Sequence, residues 1–111
     1  MSLVIMVAGP YSAPTLEGRA ANLRRMNDAA AELARRGHVP VIGVNAALPV
    51  LDAAGLPFTD PLMMTISLAL AARCDACLRI AASPGADREA AVIKGMGRPV
   101  YERLEDVPPA Q

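Results

Sequence analysis

Ser83, Gly85 and Glu89 fall within one short stretch, Ser83-Pro84-Gly85-Ala86-Asp87-Arg88-Glu89, which places a hydroxyl, a flexible backbone and a carboxylate close together. An apolar run, Ala76 to Ala82, precedes the stretch, and a helical pattern, Glu89-Ala90-Ala91-Val92-Ile93, follows it. The arrangement predicts a strand-to-helix turn. In an open α/β sheet such a turn lies at the carboxyl end of the strand, where ligands bind. A helix start there offers free N–H groups and partial positive charge, which suit phosphate or another anion. The same field is expected to keep Glu89 ionised, and an ionised carboxylate can act as a nucleophile.

A second turn matches the first. Ser2 to Ala8 reads as a buried strand, Gly9-Pro10-Tyr11-Ser12 breaks it, and a long helical pattern follows. Each turn carries a glycine and a serine, and the two are expected to meet over one crevice.

The elements that must position these turns alternate. A helix is expected from about Thr15 to Arg36, with Leu16, Ala20, Leu23, Met26, Ala30 and Leu33 as its apolar stripe. Thr15 is its cap and Gly37 its stop. His38 to Val44 reads as a second strand, at an edge or bent at its start because Pro40 lacks a ladder donor. Asn45 to Thr59 reads as a loop with a short apolar, helix-compatible insert at Leu48–Ala54. Asp60-Pro61 then caps a helix over Leu62–Arg73, with Met63, Ile66 and Leu70 inward. The third strand lies within Cys74–Ala82, a helix covers Asp87–Met96, and Pro99-Val100-Tyr101 is a short fourth strand. The tail Val107-Pro108-Pro109-Ala110-Gln111 reads as loose. This order implies one α/β domain, a parallel sheet with helices on both faces and right-handed crossovers.

Composition narrows the function classes. The chain has 111 residues and zero formal net charge, with 3% aromatic side chains. It therefore has neither the basic patch nor the stacking aromatics that a nucleic-acid polymer requires. The apolar first strand is too short for a membrane span or a signal peptide, so the expected location is cytoplasmic. One histidine and a lone Cys74-x-x-Cys77 do not make a metal site. The first turn is not G-x-G-x-x-G, and no G-x-x-x-x-G-K motif is present, so no cofactor is expected.

Plainer roles compete with the chemical ones. Glu89 suits a helix start on dipole grounds alone, and Ser83 suits a cap. Asp60 is explained by capping before Pro61. Asn45, at the ligand-side end of the second strand, suits a ribose contact or a turn equally. Asp75 and His38 begin strands, the wrong end for ligands, and read as structural. Cys74 and Cys77 read as buried and inert, on opposite strand faces.

Gly9-Pro10-Tyr11-Ser12, Gly37-His38-x-Pro40, Cys74-Asp75 and Ser83-x-Gly85-Ala86-x-x-Glu89 together resemble the nucleoside 2-deoxyribosyltransferase superfamily. The likeness is strongest to its short bacterial members and next to its 2'-deoxynucleoside 5'-monophosphate N-glycosidases, and it covers nearly the whole chain. It implies a flavodoxin-like (Rossmann-like) three-layer sandwich with four or five parallel strands, and a homodimer or larger assembly. It implies that Glu89 is the nucleophile that attacks C1' of a nucleoside or nucleotide and displaces the base. Ser83 matches a serine that helps hold a 5'-phosphate, a place where the transferases carry aspartate. Tyr11 and Ser12, beside Gly9, match positions lining the sugar or phosphate pocket, and Gly85 and Ala86 belong to the nucleophile's motif. Asp60 is the best match to a second family acid. The alternative is a nucleotide- or phosphate-binding domain that keeps the crevice without the chemistry.

Overall fold

A computed structural model describes all residues, 1–111. Four strands form one parallel sheet: β1 (Val4–Ala8), β2 (Val39–Val41), β3 (Ala76–Arg79) and β4 (Val100–Tyr101). The helices are α1 (Leu16–Arg35), α2 (Gly43–Ala53), α3 (Leu62–Ala71) and α4 (Pro84–Gly95). The sheet order β2-β1-β3-β4 gives the first four strands of a flavodoxin-like sheet. Pro40 lies on the edge strand β2, as its missing donor requires.

Period-two alternation sorts the strand residues into two cores. Ile5, Val7, Ala76 and Leu78 face α1, where Met26 and Leu33 are fully buried. Met6, Ala8 and Cys77 face α3 and α4, against Ala71, Ala86, Ala90 and Ile93. Helices thus cover both faces of the sheet. A third, smaller cluster of Ala47, Leu51 and Met63 joins α2 to α3. No helix is long and apolar enough to cross a membrane.

Several boundaries differ from the sequence expectations. The second strand stops at Val41, and the residues read as a loop form α2, which tolerates Pro49 in its interior. Packing of Ala47 and Leu51 against Met63 outweighs the lost backbone bond. α4 begins at Pro84 rather than Asp87, because Ser83 caps it and proline fits the first helical position. Leu16 and Ala20 lie outside the buried stripe of α1, and Leu16 is exposed.

The tail is not loose. Val107 is buried in the α1-side core, and Arg36 donates to the carbonyls of Leu104 and Val107 at 2.9 and 3.2 Å. His38 joins the same anchor. Its Nδ1 accepts from the Leu3 amide at 3.1 Å, and its Nε2 donates to the Pro108 carbonyl at 2.6 Å. Asp75 accepts from the Val4 amide at 2.8 Å and ties the starts of β1 and β3 together. Both residues sit at the amino edge of the sheet and serve structure.

Candidate active site

The chain leaves β1 for β2 on one side and then crosses back to β3 on the other, so the carboxyl ends of β1 and β3 flank a topological switch point. A cavity of about 310 Å³ opens there. The turn after β1 supplies Gly9, Pro10, Tyr11 and Ser12 to its wall. The turn after β3 and the first turns of α4 supply Ser83, Gly85, Ala86 and Glu89. The two turns thus share one crevice.

Side chains of α1 fix the first turn. Asn22 Nδ2 donates to the Tyr11 carbonyl at 2.9 Å and to the Ser12 carbonyl at 3.4 Å, while Arg19 donates to the Ala13 carbonyl at 2.9 Å. The Tyr11 ring meets Phe58 edge-to-face, with centroids 5.8 Å apart. Arg19 caps the other side of that pair, its guanidinium 4.4 Å from the Phe58 centroid. Gly9 is required by space: a Cβ there would stand 2.8 Å from Ile80 Cγ1. Tyr101, the remaining aromatic residue, packs in the α1-side core instead.

Ser83 is the N-cap of α4. Its Oγ accepts from the Ala86 amide at 3.1 Å, which leaves the hydroxyl proton to donate into the cavity. Ala86 is fully buried beneath it.

Glu89 is 8% exposed and lines the cavity as its only carboxylate. Burial pushes its pKa up from 4.5 to about 7. The ionised state expected from the α4 dipole is therefore corrected. With α4 starting at Pro84, Glu89 is the sixth helical residue and lies beyond the turn where the macrodipole acts. Desolvation wins, and near neutral pH the carboxyl is divided between its two protonation states.

Asn45 and Asp60 do not join this site. Asn45 lies in the first turn of α2, where its Nδ2 donates to Asn27 Oδ1 at 2.8 Å, away from the cavity. The sequence places it at the end of the second strand; the early start of α2 rotates it to the α1 side instead. Asp60 Oδ1 accepts from the Leu62 amide at 2.9 Å and caps α3, and its side chain is not part of the cavity wall.

Two residues at the site carry no obvious sequence signal. Ser67 is 2% exposed and sits on the buried face of α3 with Met63 and Ala71. A polar residue at i+4 from Met63, in a helix whose only other polar residue is Thr65, is the available clue. Gly43 begins α2. A Cβ there would stand 2.6 Å from Glu89 Oε2 and closer still to Ser67 Oγ. Glycine at this position is what lets the carboxylate and the hydroxyl approach the same backbone.

Cys74 and Cys77 are free and buried in the α3/α4-side core together, since Cys74 precedes the strand and does not share its alternation. Burial raises both thiols, Cys77 to about 12, so neither supplies a thiolate. No group of three His, Cys, Asp or Glu side chains is placed to hold a metal. No protein-family profile and no curated protein matches the chain.

Proposed function

We infer that the protein cleaves or transfers the N-glycosidic bond of a nucleoside or nucleoside 5'-monophosphate, as a member of the nucleoside 2-deoxyribosyltransferase superfamily. The observation that carries this reading is the Glu89 carboxylate, buried at a topological switch point and open to a cavity that Tyr11, Ser12 and Ser83 also line. The ionised carboxylate attacks C1', the C1'–N bond breaks, and its electron pair leaves with the base. The resulting glycosyl ester is then opened at C1' by water or by a second base, and Glu89 is regenerated. Ser83 and the free amide of Gly85 hold the 5' end of the substrate. Tyr11 and Phe58 offer the base an apolar, edge-to-face pair. Asp60 is engaged in capping, so protonation of the leaving base falls to solvent or to the Tyr11 hydroxyl.

The test is a screen of nucleosides and their 5'-monophosphates for free base. Release of base by the wild-type protein supports the reading. A lone carboxylate at the cavity also suits the second reading, a binding domain of the same fold. Saturable binding with no base released favours that one.

Gly43 gives a sharper check on the geometry. Gly43→Ala inserts a methyl group 2.6 Å from Glu89 Oε2, so the carboxylate must move. Misplacement of a reacting group by about 1 Å costs on the order of 10²-fold in rate. Base release is expected to fall by about that factor. Gly95→Ala, in the last turn of α4 and outside the cavity, is the matched control, because a Cβ there meets nothing within 4 Å. Equal rates in the two variants would remove Gly43 from the account.

A further inference from the structure

We propose that the groove between α4 and β4 is a docking surface for a second copy of this chain, related to the first by a two-fold axis through the middle of the groove. The groove encloses about 470 Å³ and shares no lining residue with the crevice that holds Glu89, so the proposal is independent of the chemistry there. β4 is the edge strand of the sheet, and the residues after it turn to the α1 side, where Val107 is buried. The α4 side of that edge is left as the groove. Charges along it are sorted by sign. The end at the carboxyl edge of the sheet carries Asp87 and Glu102, two carboxylates that share the one guanidinium of Arg79 at 2.7 Å each. The other end carries Lys94 and Arg98, and neither takes part in an ion pair. Between the ends the lining is apolar: Ala90, Ala91, Pro99 and Val100.

Two elements produce this polarity separately. α4 runs from the carboxyl edge of the sheet to its amino edge, and β4 runs back. Asp87 and Lys94 lie on the groove face of α4, about 10 Å apart at the helical rise. Arg98 and Glu102 flank Val100 symmetrically, about 13 Å apart in extended chain. The mid-points of both pairs fall on the apolar lining. A two-fold axis there lays the acidic end of one copy on the basic end of the other. Asp87 meets the partner's Lys94, Arg98 meets the partner's Glu102, and each contact occurs twice, as an isologous interface requires. The opposite alignment would set Lys94 and Arg98 against their own copies and is repelled. Pro99 and the two-residue length of β4 disfavour a continued ladder, so side chains carry the contact. The chain has zero formal net charge, so no overall repulsion opposes the approach of two copies.

The experiment is sedimentation velocity of the full chain as wild type, as Lys94→Glu with Arg98→Glu, and as Asp87→Lys with Glu102→Lys. Wild type is expected to dimerise, and less tightly as salt is raised. Either double variant sets like charges against each other at every pair across the axis. It is expected to weaken the dimer about 100-fold or more. Mixing the two variants restores complementarity, because one groove is then acidic and the other basic. A one-to-one heterodimer is expected, which a variant that had failed to fold could not form. A wild type that stays monomeric overturns the proposal, as does a dimer that survives either double variant or a mixture that does not pair. A wild-type dimer equally tight at low and high salt also overturns it, and that result needs no variant.

Discussion

Glu89→Gln is expected to reduce base release by about 10³-fold or more, since it removes the attacking oxygen anion and nothing else at the cavity replaces it. Glutamine matches the shape of the carboxyl, and its neutral head suits a site where burial already favours the uncharged acid. The loss should therefore fall on kcat, with substrate binding largely retained. The wild-type rate should depend on pH in a definite direction. A nucleophile works as the anion, so kcat/KM should rise with pH and level off above about 7. A rate that falls across the same interval would assign Glu89 to general-acid work instead. The profile is read by following base release from pH 5 to 9.

The second large effect is on stability. The Glu89 carboxyl has a pKa of about 7 in the folded chain against 4.5 for an exposed carboxyl, so the folded state holds its proton more tightly. That preference stabilises the fold fully below pH 4.5 and is lost as the pH rises through 7. A shift of this size amounts to about 3 kcal/mol. Wild type should thus lose about 3 kcal/mol between acid and pH 8 that Glu89→Gln does not lose. Urea unfolding of both proteins at pH 4 and pH 8 measures the difference. Parallel pH dependence in the two would mean that the carboxyl is solvated in the folded protein. A group that costs stability at working pH, in the one crevice at the switch point, is what a reactive carboxylate requires.

The sheet and the crevice were legible because their signals are local. The two glycine- and serine-bearing turns follow apolar runs, and parallel topology brings both to the same edge. Seven of the nine residues singled out line one cavity for that reason: Gly9, Tyr11, Ser12, Ser83, Gly85, Ala86 and Glu89. The errors came where tertiary packing decides. Asn45 to Thr59 reads as a loop with a helix-compatible insert at Leu48–Ala54, yet α2 already starts at Gly43, because Ala47 and Leu51 find Met63. That helix carries Asn45 away from the cavity and sets Gly43 against Glu89 and Ser67. The pattern chosen for α3 put Ile66 and Leu70 inward, whereas its most buried face is Met63, Ser67 and Ala71. A rotation of about one residue separates those faces, and an apolar helix gives little periodic contrast to choose between them. Burial sets the protonation of Glu89, and placing the start of α4 three residues too late put the carboxyl within reach of a dipole that does not act on it. The proline-rich tail looked unstructured because its partners, Arg36 and His38, are distant in sequence.

The most direct measurement is mass spectrometry of the protein after acid quenching during turnover of a substrate found active in the screen. A covalent glycosyl adduct, with the mass of the sugar moiety and without the base, is expected on the peptide containing Glu89, and none in Glu89→Gln. Base released by wild type with the adduct on another residue, or undiminished release by Glu89→Gln, would contradict the assignment of Glu89 as the nucleophile.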